Sequence, residues 1–272
     1  MNKTSYIICA EGGCSGHFIA CLIRTMWDNE FFVNNYIPSN GSCDNISRAG
    51  CLHADYALTK KRIDVYPERP EAAAIMLDAI KDPDNTYVEF FDSYLKQYDH
   101  LNVLHYWNKQ NIENFLSVPN VKIILVRAHE KDYKQIAVNK ISKNFTNEID
   151  YTKISIDVVK SSFRGLLTWA ELIDNLEELE NIKTMQNVSL KIKLDLVRAW
   201  EKYMSVRSTK NELPDPNPKL LTLYFDDIIN NKEMVMSKLS EFTKSPIDIS
   251  TKNMYNDYLG KQPTMESLLK NA

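Results

Sequence analysis

The residues best able to do chemistry come early in the chain. Glu11-Gly12-Gly13-Cys14-Ser15-Gly16 is a glycine-rich turn, and His17-Phe18 lead out of it into a helical pattern. Three of the seven glycines in the chain fall in that turn. A glycine turn running into a helix presents backbone N–H groups and the positive end of the helix dipole to an anion. Gly12, Gly13 and Gly16 permit close backbone approach, and Ser15 adds a hydroxyl donor. A plain strand-to-helix turn is the simpler alternative, but glycine at this density points to a phosphate cradle. The turn is not a Walker A sequence. After Gly16 come His17 and Phe18, with neither the lysine for a terminal phosphate nor the hydroxyl that would hold magnesium.

Two further residues stand out because each ends an apolar run. His105 closes Leu101-Asn-Val-Leu-His105, and Arg127 closes Val121-Lys-Ile-Ile-Leu-Val-Arg127. A guanidinium at a strand end can bind a phosphate through two parallel N–H bonds. A salt bridge to Glu130 or Asp132 would explain it as well. His105 is either a packed, hydrogen-bonded histidine or, beside a phosphate loop, a general base for an acceptor hydroxyl.

The elements that must position these residues follow from hydrophobic pattern. Residues 5–10 and 121–127 are continuous apolar runs of the kind expected from strands buried on both faces. Phe18, Cys21, Leu22, Thr25 and Met26 repeat with helical spacing. The pattern predicts further helices from Pro70 through Ile80, over 132–143, over 155–181 and over 190–206. It predicts strands at 101–105 and 220–225, and a helix after Asp226-Asp227 carrying Val235, Leu239 and Phe242. Residues 34–69 read mostly as loop, Pro214, Pro216 and Pro218 as an extended connector, and the tail after Pro246 has little pattern. Strands alternating with helices give an α/β fold, a three-layer sandwich around a central parallel sheet. Ligands in such sheets bind beyond the carboxyl ends of the strands, where loop 11–17, His105 and Arg127 all fall. The whole of 1–272 is expected to form one domain.

Composition narrows the function. The 272 residues carry 33 Lys+Arg against 36 Asp+Glu, a net charge of −3, which argues against a protein that lives on nucleic acid. Apolar residues at 44% and charged residues at 25% describe an ordinary globular chain. No apolar run approaches a membrane span, and the N-terminus lacks the pattern of a signal peptide. The five cysteines (Cys9, Cys14, Cys21, Cys43, Cys51) form no CxxC pair, so no disulfide framework is expected and a cytoplasmic protein is. Cys14, His17 and Cys21 straddle a loop and a helix, and no second cluster completes a metal site.

Three segments resemble the sulfotransferases that use 3′-phosphoadenosine 5′-phosphosulfate (PAPS). Tyr6 to His17 resembles the strand and Ser-Gly loop that hold the 5′-phosphosulfate. Val103-Leu-His105, with Arg127 following 22 residues later, resembles the catalytic histidine strand and the 3′-phosphate arginine strand. Leu220-Leu-Thr-Leu-Tyr-Phe-Asp-Asp-Ile-Ile229, continuing through Lys232, Leu239, Glu241 and Phe242, resembles the family's C-terminal strand and helix. The chain also departs from the pattern. Cys14 stands where the family carries Lys or Arg, His17 and Phe18 stand where it has Thr or Ser, and Val103 replaces a lysine. Gly260-Lys261 is a weak counterpart of its late basic loop.

The resemblance implies a P-loop nucleoside-triphosphate-hydrolase-like fold and transfer of a sulfuryl group from PAPS to a hydroxyl or amine, with no metal. Gly12, Gly13, Cys14, Ser15, Gly16, His17 and Phe18 would hold the 5′-phosphate and Arg127 the 3′-phosphate. Gln135 and Asn139 are the nearest polar candidates to join Arg127, and His105 would be the base. Residues 34–69 and 144–165 would form substrate-side loops or lids over a small-molecule or glycan acceptor. Two alternatives stay open. One is a nucleotide-binding protein with a decayed site; the other is a P-loop kinase with Asp226 or Asp227 on magnesium.

Overall fold

The computed structural model describes residues 4–10, 13–27, 52–53, 101–104, 109–117, 119–146, 190–210 and 212–266. The chain divides into two compact units. One comprises Met1–Ala128 with Asn211–Lys261, the other His129–Lys210 with Gln262–Ala272.

The first unit is built on a parallel five-stranded sheet in the order β2-β3-β1-β4-β5. Its strands are β1 (Ser5–Ala10), β2 (Leu52–His53), β3 (Leu101–Leu104), β4 (Val121–Arg127) and β5 (Leu220–Tyr224). All six residues of β1 are buried, as a central strand covered on both faces requires. β4 runs beside it from Ser5↔Val121 to Ala10↔Val126, and β3 lies on its other side from Tyr6↔Leu101 to Cys9↔Leu104. β5 pairs with β4 and buries only Leu223, in keeping with an edge position.

Two details differ from the sequence expectation. β2 lies inside the stretch read mostly as loop; two residues paired to Asn102 and Val103 carry no periodicity of their own. The last strand ends at Tyr224, because Phe225 turns inward and starts a helix.

Helices cover the sheet. α1 (Gly16–Trp27) buries the expected stripe of Phe18, Cys21, Leu22, Thr25 and Met26, and also Ile19, Ala20 and Ile23. It is therefore apolar nearly all round, as a helix enclosed between a sheet and a further layer must be. α2 (Lys109–Leu116), which sequence pattern did not suggest, buries Ile112, Phe115 and Leu116 and lies along β4. After β5 come α5 (Phe225–Asn230), α6 (Lys232–Thr243) and α7 (Ile249–Gly260), with α3 and α4 falling in the other unit. The expected Val235 and Leu239 are buried in α6. α7 falls where no pattern was read. Asp248 caps it by accepting from the Thr251 N–H at 2.7 Å, and Thr251, Met254, Tyr255 and Tyr258 face inward.

The second unit packs α3 (Tyr133–Thr146) against α4 (Leu190–Lys210), close to the predicted 132–143 and 190–206. A short 3-10 turn at Glu130–Asp132 precedes α3. The helices expected at 70–80 and 155–181, and most of the 34–69 and 144–165 segments, lie outside the described residues.

Cys9 and Cys14 are buried thiols. Cys21, buried in α1, is disulfide-bonded, although no disulfide framework was expected from the sequence. That expectation rested on an odd count and the lack of a CxxC pair, whereas a disulfide needs only two sulfurs that meet in space. Among the described residues no helix is long and apolar enough to cross a membrane.

Candidate functional site

The strand order sets where a ligand can sit. From β1 the chain moves toward the β2–β3 side; from β4 it moves the opposite way, to β5. In open parallel sheets the carboxyl ends of the two strands that flank such a reversal are where ligands ordinarily bind. The glycine loop follows β1 and Arg127 ends β4.

Gly13 has φ 93° and Ser15 has φ 69°, both left-handed, and a side chain at 15 tolerates this only under constraint from its surroundings. The Ser15 carbonyl accepts the first intrahelical bond, from Ile19 N–H at 3.0 Å. The amides of Gly16, His17 and Phe18 precede that bond and therefore lie at the positive end of the α1 dipole. Gly16 sits hard against the sheet, where a Cβ would stand 2.5 Å from Ala10 Cβ. Glycine at 16 is thus what lets the helix start so close to the end of β1.

Ser15 is half-buried, and its hydroxyl is hydrogen-bonded to the Tyr258 hydroxyl of α7. The Tyr258 ring stacks flat on Phe18, with centroids 3.7 Å apart and planes 7° from parallel. Tyr255, one turn earlier, meets Phe18 edge-on at 4.9 Å and donates its own hydroxyl to the Ile228 carbonyl at 2.8 Å. Burial first, then the neighbouring Tyr258 and Asp227, push the Tyr255 phenol well above its ordinary value. Phe18, expected on the ligand, is 4% exposed and serves as the floor on which α7 rests. Cys14 is fully buried, so its thiol faces the interior.

Arg127 is half-buried at the last paired position of β4, level with Tyr224 and one step beyond the Ala10↔Val126 pair. Neighbouring strands lie about 4.8 Å apart, so β1 and β4 bring the start of the loop and Arg127 to the same edge of the sheet. Leu104 is level with Cys9; the next residue, His105, lies outside the described residues, as does Gly12. His17 is half-buried in the first turn of α1.

Gln135 belongs to the second unit. Its amide nitrogen donates to Asn139 Oδ1 and to the Pro263 carbonyl, both at 2.8 Å, while Asn139 donates to Gln262 Oε1 at 2.8 Å. One hydrogen of the Gln135 amide thus ties Pro263 to α3, while the other braces Asn139, whose own amide holds Gln262. Asp226 and Asp227 lie in the first turn of α5, where they accept from the side-chain amides of Asn230 at 2.5 Å and Asn231 at 3.0 Å. Cys21 cannot join Cys14 and His17 as a thiolate ligand while it is disulfide-bonded.

Tyr255 and Tyr258 were not legible as site residues. The signal was there in the spacing of Thr251, Met254, Tyr255 and Tyr258, which repeats at helical intervals on one face of α7. Tyrosine and threonine are too polar to stand out as a core stripe.

Together the fold and this site define a parallel α/β protein with a glycine loop at the switch point of its sheet. Neither a protein-family model nor a curated protein sequence matches the chain. Among solved structures, a sulfotransferase domain from the curacin biosynthetic pathway is similar at TM-score 0.35 and 10% identity, over 94% of this chain and 78% of that one. A likeness at that level carries nothing about the site.

Proposed function

We propose that this chain is a sulfotransferase that moves a sulfuryl group from PAPS to a hydroxyl or amine on a small molecule or glycan. The observation that supports it best is the parallel pairing of β1 and β4, which ends with the glycine loop and Arg127 side by side at the switch point. The co-substrate supplies an activated sulfuryl group on a phosphate that leaves readily.

In this reading the amides of Gly12 to Phe18 and the Ser15 hydroxyl hold the 5′-phosphate. Arg127 forks onto the 3′-phosphate, where its fixed pair of N–H donors suits a tetrahedral dianion. His105 takes the acceptor proton as the acceptor attacks. Catalysis is then mostly positioning, plus donors held where negative charge grows on the leaving oxygen.

Titration calorimetry tests the reading with adenosine 3′,5′-bisphosphate against 5′-AMP, with and without magnesium. A clear preference for the bisphosphate that does not depend on magnesium is expected. Equal or absent binding would overturn it.

One observation favours a second reading, a nucleotide-binding protein that transfers nothing. Cys14 is buried at the position where the resembled family carries a cation to assist the leaving phosphate. Bisphosphate binding without transfer of sulfate to any acceptor would select it.

A further inference from the structure

We propose that Tyr258 is a positioning residue of the glycine loop, its hydroxyl donating to Ser15 Oγ so that the serine hydrogen turns outward to an oxyanion. The proposal rests on the reading that this loop holds the anionic group of a ligand, and it adds a residue from the far end of the chain.

A serine hydroxyl has one hydrogen and two lone pairs, so which partner it donates to decides what the loop can bind. A residue at the start of a helix ordinarily turns its hydroxyl back onto the N–H groups of the first turn. Ser15 does otherwise: with its backbone at φ 69°, its hydroxyl meets Tyr258. Of the two hydroxyls the phenol is the more acidic, hence the better donor and the poorer acceptor. The favoured direction is therefore Tyr258 O–H to Ser15 Oγ. That leaves the serine hydrogen for a third group, and each bond in such a chain polarises the next. Burial agrees with this order. Tyr258 is 4% exposed while Ser15 is only half-buried, so the serine is the more accessible member of the pair.

The tyrosine is also held to one place. Its ring lies flat on Phe18, three residues beyond Ser15, so one side chain grips the loop and the first turn of α1 together. Tyr255 anchors α7 one turn away through the Ile228 carbonyl, and Thr25 Oγ1, which donates to the Cys21 carbonyl at 2.9 Å, packs 3.2 Å from Met254 Sδ further along the same interface. A hydroxyl fixed this firmly can hold the serine rotamer before the anion arrives, which lowers the ordering cost of binding.

The test is a cycle of Tyr258→Phe, Ser15→Ala and the double variant. Tyr258→Phe keeps the stacked ring and removes only the donor. Each protein is titrated with adenosine 3′,5′-bisphosphate, and its melting temperature is measured in sodium sulfate and in sodium chloride at equal ionic strength. Tyr258→Phe is expected to weaken bisphosphate binding about five- to tenfold. The double variant is expected to be no weaker than the weaker single one, since the two hydroxyls act as one unit. The melting temperature in chloride should stay within a few degrees of the parent, and the extra stabilisation by sulfate should be lost.

Binding by Tyr258→Phe within twofold of the parent, tighter binding, or additive losses in the double variant would overturn the role of Tyr258 and leave the sulfotransferase reading standing. Sulfate stabilisation of the parent that vanishes in Tyr258→Phe, without bisphosphate binding by either, would support Tyr258 and overturn the nucleotide reading. A parent that responds to neither ligand overturns both.

Discussion

Gly16 and Ala10 approach so closely that a methyl group on Gly16 would stand 2.5 Å from the Ala10 Cβ, with Val103 Cγ1 at 3.7 Å behind it. Alanine is the better helix former by about 0.5–1 kcal/mol, but overpacking of this kind costs about 1–3 kcal/mol, so the clash wins. Gly16→Ala should therefore lower the melting temperature by several degrees and weaken any ligand held by the loop. Gly260→Ala, where an added Cβ meets nothing within 4 Å, should be neutral or slightly stabilising. Thermal unfolding of the two variants side by side checks the contrast, and equal melting temperatures would refute it.

Tyr255 should make the fold sensitive to alkali. Its phenol is raised above the ordinary 10.0 by burial and then by Tyr258 and Asp227. The folded state thus keeps a proton that the unfolded state releases near pH 10.0. Stability is fully present below that pH and falls as the pH rises above it, by up to about 1.4 kcal/mol per pH unit for this group. Tyr6, raised by burial, acts in the same direction. Tyr255→Phe should lose about 1–3 kcal/mol at neutral pH by leaving the Ile228 carbonyl without this donor. It should also decline less steeply above pH 10.0. Urea midpoints from pH 8 to 11 in both proteins test this; parallel alkaline limbs would count against it.

Gln135→Ala should loosen the 262–263 segment from α3, since it removes the bond to the Pro263 carbonyl and the brace on Asn139, which holds Gln262. The expected result is faster proteolytic trimming of the C-terminal end and a stability loss of about 1–2 kcal/mol. Bisphosphate titration of the same variant separates roles: a drop in affinity beyond the drop in stability would give Gln135 a ligand contact as well.

Arg127→Met and His105→Ala should fail in different ways. Removing the guanidinium should abolish the preference for adenosine 3′,5′-bisphosphate over 5′-AMP, at a cost of about tenfold or more in affinity for a charge-assisted pair. Removing the imidazole should leave nucleotide affinity intact and lose turnover. A retained preference in Arg127→Met, or unchanged turnover in His105→Ala, would remove that residue from its role.

Much of the sheet was readable because buried parallel strands are plain apolar runs. β1 and β4 were found at the expected bounds, and α1 from its stripe. β2 was not, because two residues become a strand only when β3 lies beside them. α7 escaped because its inward face is tyrosine, threonine and methionine rather than aliphatic. The disulfide of Cys21 escaped because spacing along the chain says nothing about which sulfurs meet.

From sequence alone came the residue types and their local setting: a glycine loop between strand and helix, and an arginine closing an apolar run. Local pattern suffices there, since backbone freedom and buried periodicity act over a few residues. Only the tertiary structure decided neighbours. Strand order set β1 beside β4, and the packing of α7 on α1 brought Tyr258 to Ser15. Contacts between residues so distant in the chain follow from how whole surfaces fit, which no local window contains.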